Sequence, residues 1–267
     1  MDHTVERALA LVGPGRAGVS VTAALARVGW DVVAVAGRAP DAPSTVAAAE
    51  RFGAPARPVD QVAAGAGLVV IATPDAAIDA AAAALAPSVA SDALVLHLSG
   101  ASGLDALTAV PARRGALHPL QSMPTAELGL ARLPGSWAAV AGDPETTAIA
   151  ESIGLRPFPL ADEDRAAYHA AAAIASNHLV ALLGQVARTA PVPLEVFLPL
   201  VRATVDNVEA LGPEAALTGP VARGDAATVA AHLDALPDDE RETYRALARA
   251  AHTLVGERHP DLTAVLG

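Results

Sequence analysis

Six residues near the start of the chain have the types and spacing of a phosphate-binding loop. They read G-x-G-x-x-G and are Gly13, Pro14, Gly15, Arg16, Ala17 and Gly18. The first glycine allows a tight turn, the second lets the backbone approach a pyrophosphate, and the third lets a helix pack closely on a strand. The free N–H groups of a helix that begins here would bind the negative charge. The hexapeptide predicts nucleotide binding if a strand precedes it and a helix follows.

The residues that follow the next predicted strand bear on the choice of nucleotide. About 20 residues after such a fingerprint, an NAD site usually has an Asp or Glu that binds the ribose hydroxyls. Gly37 and Arg38 stand there instead. A guanidinium can pair with the 2′-phosphate of NADP, with Arg16 and the Ser44 hydroxyl as possible helpers. We therefore expect NADP(H); the alternative is that Arg38 is solvated and Asp41 binds the ribose.

Two further loops follow predicted parallel strands and are candidate cofactor contacts. One contains Thr73, Pro74 and Asp75, and the other contains Ser99 and Gly100. Ligands of open α/β sheets bind at the carboxyl ends of the strands. We expect these loops to lie beside the nicotinamide ribose, although each taken singly is equally consistent with an ordinary turn.

Three side chains are candidates for the chemistry of a reductase, because the chain contains no lysine to donate a proton. His118, which follows a predicted strand, is the candidate polariser or general acid, and its alternative is a loop histidine bonded to backbone. Asn177 and His169 lie in a predicted long helix, where either could contact substrate or serve only packing. At uninterrupted helical spacing His169 and His178 point to opposite sides, and cysteine is absent, so no metal site is expected.

A second polar turn, rich in glycine and proline, precedes a helix in the second half. Its Thr218 and Arg223 could hold a substrate carboxylate. The alternative is that Arg223 and Asp225 form a helix cap and a surface ion pair.

The first half has the alternating pattern of a doubly wound α/β domain. Apolar runs at 8–12, 31–36, 68–72, 93–98, 115–118 and 137–141 read as strands, and 155–159 reads as an edge strand because it contains two prolines. Helices are expected at 16–28 and 44–52 and between the third and fourth strands. The fingerprint therefore lies between a strand and a helix.

From residue 162 onward the patterns are only helical, with helices at 162–189, 194–211 (kinked at Pro199), 225–236 and 238–256. We predict a nucleotide-binding domain over 1–160 and an all-α domain over 161–267. Residues 166–187 lack charged side chains, but the stretch is mostly alanine with several polar residues, so a helix buried within protein is expected rather than a membrane span.

Charge and composition limit the classes of partner. The net charge is −11, all eighteen cationic side chains are arginine, and there is no arginine-rich run, so neither nucleic acid nor a membrane is expected as a partner. Residues 1–7 lack the basic and apolar regions of a signal peptide, so a cytoplasmic location is expected. A small molecule is the expected partner.

The whole pattern resembles bacterial Rossmann-like proteins that carry a C-terminal helical domain of unknown function. The residues that carry the resemblance are the 13–18 fingerprint, Gly37-Arg38, Thr73-Pro74-Asp75, His97 to Gly100, Leu117 to Ser122, Tyr168 to Asn177, and the segments 217–220 and 223–225. These proteins are similar in architecture to ketopantoate reductase, pyrroline-5-carboxylate reductase, β-hydroxyacid dehydrogenases and deazaflavin-dependent NADP reductases.

The resemblance implies a Rossmann-type sheet, a C-terminal domain like that of 6-phosphogluconate dehydrogenase, NADP(H), and a homodimer formed through the helical domain. In β-hydroxyacid dehydrogenases and ketopantoate reductases a lysine on the long helix is followed by an asparagine. Asn177 matches the asparagine, but no lysine is present. We expect an NADPH-dependent reductase of a small carbonyl or imine, such as a 2-oxo acid like ketopantoate. The alternative is a non-catalytic NADP(H)-binding sensor.

Overall fold

The computed structural model describes residues 7–267. They form two compact units, the first ending at Ile174 and the second beginning at Ala175. The domain boundary expected at residue 160 stays a prediction. Of residues 1–7, on which the expectation about a signal peptide rested, the first six lie outside the described residues.

One seven-stranded sheet, in the order β2-β1-β3-β4-β5-β6-β7, forms the centre of the first unit. Its strands are β1 (Ala8–Val12), β2 (Asp31–Ala36), β3 (Leu68–Ile71), β4 (Leu94–His97), β5 (Arg113–Pro119), β6 (Trp137–Gly142) and β7 (Arg156–Pro159). All neighbours are parallel except β5 and β6, which are antiparallel. Each strand confirms a predicted one, and β7 lies at an edge, as its prolines require.

Helices cover both faces of this sheet. They are α1 (Arg16–Arg27), α2 (Pro43–Phe52), α3 (Ile78–Leu85), α4 (Ala126–Arg132) and α5 (Glu145–Ser152). A further helix, α6 (Arg165–Ala173), follows β7. Leu9 and Leu11 of β1 pack into the same core as Leu25 of α1. Ala10 of the same strand points to the other face, into a core that contains Leu85 of α3. The doubly wound architecture is therefore confirmed.

The regular secondary structure of the second unit, residues 175–267, consists of helices joined by loops. Its helices are α7 (Leu179–Thr189), α8 (Leu198–Leu211), α9 (Pro213–Ala216), α10 (Pro220–Arg223), α11 (Ala226–Ala235), α12 (Asp238–Leu254) and α13 (Pro260–Leu266). Its small core contains Val221, Val229, Leu233, Ala248, Leu262 and Leu266. The expected kink at Pro199 is wrong, because this proline lies in the first turn of α8, where a missing N–H costs no hydrogen bond.

The long helix differs from its prediction in two respects. Residues Ile174–His178 form a π-helical turn between α6 and α7, so the face of the helix shifts there and the uninterrupted spacing assumed for His169 and His178 is wrong. The helix is also largely exposed rather than buried; Ile174 and Val180 are 58% and 71% exposed. Among the described residues, Asp162–Thr189 is the one helix long and apolar enough to cross a membrane, judged by length and composition alone.

Candidate functional site

The register of the sheet places the predicted site residues in one row. Ile71 of β3 lies opposite His97 of β4, and His97 lies opposite Ala116 of β5. Two positions further along the sequence from these three residues are Thr73, Ser99 and His118. The register therefore places them at the same level of the carboxyl edge. With parallel strands about 4.8 Å apart, the edge from β1 to β5 extends over about 14 Å. That length suits a dinucleotide lying across the strand ends.

The glycine loop connects β1 to α1 in the way the fingerprint predicts. Gly13 has φ +87°, and a Cβ built on it would lie 2.6 Å from the Thr73 backbone nitrogen. A Cβ on Gly18 would lie 2.6 Å from the Gly13 carbonyl oxygen and 2.8 Å from Ala72 Cβ. Gly15 differs, since a Cβ there would meet nothing within 4 Å. Gly13 and Gly18 therefore allow close packing, whereas Gly15 leaves open space for a ligand.

A cavity of about 740 Å³ lies beside this loop. Its lining includes the predicted residues Gly13, Pro14, Gly15, Gly37, Arg38, Ser44, Thr73 and Pro74. Asp41, the alternative ribose ligand, is exposed and is absent from the lining among the described residues. The buried Thr73 hydroxyl has no hydrogen-bond partner in the described structure. The cavity is thus lined by the glycine loop and by Arg38, and the residue at its wall that carries the unpartnered hydroxyl is Thr73.

The remaining predicted cofactor residues lie around this cavity or beyond it. Arg16, Ala17 and Gly18 form the first turn of α1, and the Arg16 side chain donates to the Pro124 carbonyl at 3.4 Å. The Ser99 hydroxyl accepts hydrogen bonds from the Ala101 and Ser102 amides, so it shapes its own loop. Gly100 lies against His118 and His169, and the charge of Asp75 is near enough to influence His118.

A cluster of side chains, which we call the histidine cluster, consists of His118, Tyr168 and His169 packed against Gly100. The Tyr168 hydroxyl lies 2.8 Å from Nδ1 of His118. The rings of His118 and His169 are 6.0 Å apart, centre to centre. A Cβ on Gly100 would lie 2.8 Å from Nδ1 of His169 and 3.0 Å from Nε2 of His118. Only a glycine allows both rings to approach this loop.

Burial makes the imidazole of His118 neutral at physiological pH. Desolvation, reinforced by the neighbouring His169, lowers the pKa of His118 to about 4. If the Tyr168 hydroxyl donates to Nδ1, the ring proton lies on Nε2 and faces the Gly100 loop. His118 would then be a neutral hydrogen-bond donor rather than a general acid with the usual histidine pKa.

Tyr168 belongs to the histidine cluster, although the sequence alone assigns no chemical role to its side chain. Burial raises the pKa of its hydroxyl. Edge-on ring contacts continue from Tyr168 to Phe158, 5.9 Å away, and from Phe158 to the exposed Trp137, 6.3 Å away. The signal that could have revealed Tyr168 is its place next to His169 in a helix otherwise rich in alanine.

A buried histidine fixes the loop between β4 and the site. His97 accepts a hydrogen bond from the Ser99 amide through Nδ1, at 3.2 Å, so its Nε2 carries the proton and donates to the Gly103 carbonyl at 3.1 Å. Burial lowers the pKa of His97, which favours this neutral form. His97 is thus a structural residue that shapes the Ser99–Gly100 loop.

Two candidate features of the second half, Asn177 and the turn before α11, have hydrogen-bond partners within the second unit. Asn177 belongs to the second unit, where it lies in the π-helical turn and accepts a hydrogen bond from the Ser176 hydroxyl at 2.9 Å. Asp225 caps α11, accepting from the Thr228 amide at 3.0 Å. The cap by Asp225 is therefore observed, whereas the expected ion pair between Arg223 and Asp225 is absent from the salt bridges of the described residues.

Two family models match the sequence. A Rossmann-like domain model matches residues 4–124, and the model of a domain of unknown function, DUF2520, matches residues 138–251. The chain thus carries a Rossmann-like domain followed by a DUF2520 domain, as the resemblance indicated. No curated protein matches the sequence.

Solved structures similar to this one include several oxidoreductases. A provisionally assigned NADP oxidoreductase from Bacteroides fragilis is 25% identical, with a TM-score of 0.80 over 92% of this chain and 98% of that one. Protein TM1727 from Thermotoga maritima is also 25% identical, with a TM-score of 0.71 over 93% and 98%. An imine reductase from Pseudomonas sp., 17% identical, has a TM-score of 0.63 over 97% and 99%, and at that identity shows the fold alone.

Substituting the two glycines separates packing from ligand approach. Gly18→Ala should lower the free energy of unfolding by about 1–3 kcal/mol, because the methyl group meets the Gly13 carbonyl and Ala72. Gly15 has φ −80° and open space around a built Cβ, so Gly15→Ala should change the free energy of unfolding by less than about 0.5 kcal/mol. The same methyl group should weaken NADPH binding by at least about tenfold. Urea unfolding and NADPH fluorescence titration measure the two effects, and normal NADPH affinity in Gly15→Ala would contradict the site.

Proposed function

We propose that this chain, which joins a Rossmann-like domain to a DUF2520 domain, is an NADPH-dependent reductase of a small carbonyl or imine compound. The observation that carries the proposal is the cavity in which the glycine loop and Arg38 face the same space. The oxidoreductases among the similar structures support the same class of reaction. A 2-oxo acid is the substrate class we favour, and ketopantoate is the first compound to try.

The described residues fit NADP(H). The glycine loop and the first amides of α1 would hold the pyrophosphate, because Val19 N bonding to Gly15 O leaves the preceding helical amides without an acceptor within the helix. Arg38 and the Ser44 hydroxyl would bind the 2′-phosphate, and the unpartnered Thr73 hydroxyl would bond to the ribose nearest the nicotinamide. When bound, NADPH supplies the hydride.

The histidine cluster supplies what the missing lysine would otherwise do. A neutral His118 donates from Nε2 to the substrate oxygen or nitrogen and polarises the bond that accepts the hydride. As negative charge develops on that atom, the Nε2 proton moves to it and Nδ1 takes the Tyr168 hydroxyl proton, which solvent restores. His169 and Asn177 are further candidate substrate contacts.

We also infer that the protein is a homodimer formed through its helical unit, with a small molecule as its ligand, and that it acts in the cytoplasm. The described residues of α8 include no buried side chain. Leu200 and Leu211 of this helix are 65% and 61% exposed. Monomeric proteins rarely expose apolar patches of this extent, and a second copy would cover α7 and α8 with the same surfaces. We propose neither nucleic acid nor a membrane as a partner, because the net charge is −11 and the eighteen arginines form no run.

Replacing Arg38 tests the choice of cofactor. Arg38→Gln should weaken NADPH binding by about 10- to 100-fold, because one charge-assisted contact to the 2′-phosphate is lost. The affinity of Arg38→Gln for NADH should change by less than about threefold. The control is Arg27→Gln, which alters an exposed arginine of α1 and should change the affinity for NADPH by less than about threefold. Fluorescence titration measures both nucleotides, and tighter binding of NADH than NADPH by the wild type would refute this specificity.

The reductase itself is tested by mixing the NADPH-loaded protein with 2-oxo acids and cyclic imines in a stopped-flow instrument. His118→Gln should lower kcat by about 10²-fold, Tyr168→Phe should lower it less, and the control His178→Gln should leave it unchanged. Since the His118 pKa is about 4, kcat should be level between pH 8 and 5.5. A rate that rises as the pH falls through about 6.5 would indicate an ordinary histidine acid instead. NADPH that is stable with every compound would favour the sensor.

The oligomeric state is tested by placing charge on the exposed face of α8. Leu200→Asp combined with Val208→Asp should convert a dimer to a monomer, because two carboxylates would be buried in the interface. Leu128→Asp, at an exposed leucine of the first unit, is the matched control. Light scattering after gel filtration without detergent gives the mass. A wild-type monomer would refute the dimer, and a wild type that remains in the membrane fraction would indicate a lipid partner.

A further inference from the structure

Arg165 is a buried cation that leaves most of its hydrogen-bonding capacity unused. It begins α6 and is 1% exposed. Its Nε donates to Oδ1 of Asp162 at 2.7 Å, but Nη1 and Nη2 have no hydrogen-bond partner among the described residues. The other oxygen of Asp162 accepts from the Leu104 amide at 3.0 Å. Asp162 therefore pairs with only one edge of the guanidinium.

Such an arrangement is costly unless a ligand completes it. Buried polar groups are nearly always hydrogen-bonded, and a buried charge is usually paired on every side that faces away from water. An arginine that served only to pair with Asp162 would be expected to donate from both nitrogens of one edge to the carboxylate. The end of the guanidinium, with two parallel N–H groups, is instead left without an acceptor.

The position of Arg165 relates this unpaired end to the histidine cluster. Tyr168 and His169 follow it by three and four residues in α6, so all three side chains leave the same face of the helix. His118 contacts both Tyr168 and His169. The guanidinium is also close enough to His118 to help lower its pKa. The cation thus lies about one helical turn from Tyr168 and His169, the two side chains that contact His118.

Resting on the reductase function proposed above, we propose that Nη1 and Nη2 of Arg165 bind the carboxylate of the substrate and thereby hold its neighbouring carbonyl against His118. The two nitrogens match the two oxygens of a carboxylate, a geometry that a lysine ammonium would not give. This assigns to Arg165 a task for which the sequence offers Arg223 as one candidate. Since Arg165 is 1% exposed, the substrate carboxylate must displace the groups that now cover the two nitrogens.

Binding of an unreactive carboxylate tests this inference separately from turnover. Oxamate carries a carboxylate and is not reduced, and ethyl oxamate has the same frame without the charge. Calorimetric titration with NADP⁺ present and absent should show that the wild type prefers oxamate by about 30-fold or more, the size expected of a charge-assisted pair. Arg165→Gln should lower that preference below about threefold. Arg113→Gln, which removes an exposed arginine paired with Glu145 at 2.7 Å, should retain it.

Arg165→Lys keeps the charge beside Asp162 and removes the two-nitrogen end, so it serves if the glutamine variant melts at a much lower temperature. It should lose about tenfold of the oxamate preference. A wild type without preference, or a lysine variant equal to the wild type, would overturn the inference. Tighter binding of inorganic phosphate than of oxamate would overturn the carboxylate assignment. If oxamate binding requires Arg165 but no 2-oxo acid oxidises NADPH, the carboxylate site stands and the reductase function fails.

Discussion

The close contact between the glycine loop and the strand beside it is the constraint on which the rest of the site depends. Where β1 turns into α1, the backbone of Gly13 touches the backbone after β3, and Gly18 touches Gly13, so neither position has room for a Cβ. This contact sets the first turn of α1 directly over the carboxyl edge. It also fixes the wall of the cavity that Arg38 and Thr73 complete from the adjoining loops. A single methyl group at this point would change the entrance of the helix and the shape of the cavity together.

The sheet was predictable because its strands are local signals. Short apolar runs form β1, β2, β3, β4 and β6, and the two prolines of β7 mark it as an edge strand. α4 and α5 were not predicted, since their seven and eight residues are too few to show a helical period, whereas the equally short α3 is recognisable by its run of alanines. The antiparallel placement of β6 was not predicted either, because the direction of a strand is decided by the path of the chain between strands and not by the strand's own residues.

The site was predictable where one motif determines the backbone and not where it depends on side chains from distant elements. The lining of the cavity includes eight of the expected cofactor residues. The contact of Tyr168 with His118 joins residues that are fifty positions apart, and no spacing rule reports it. The π-helical turn changes the angle between side chains that precede and follow it, and a spacing argument misses this because it assumes 3.6 residues in each turn. Nothing in the sequence indicates that Arg165, a charged residue at the start of an alanine-rich helix, is buried; only the structure shows it.

The aromatic contacts that run from Trp137 through Phe158 to Tyr168 have a practical consequence. The chain contains only two tryptophans, and Trp137 is half exposed at the outer end of that series. The guanidinium of Arg156 lies 5.9 Å from the centre of its ring. Ring contacts lead from this indole through Phe158 and Tyr168 to His118. The molecule therefore carries a natural fluorophore at the outer end of a continuous series of contacts that leads to the histidine cluster.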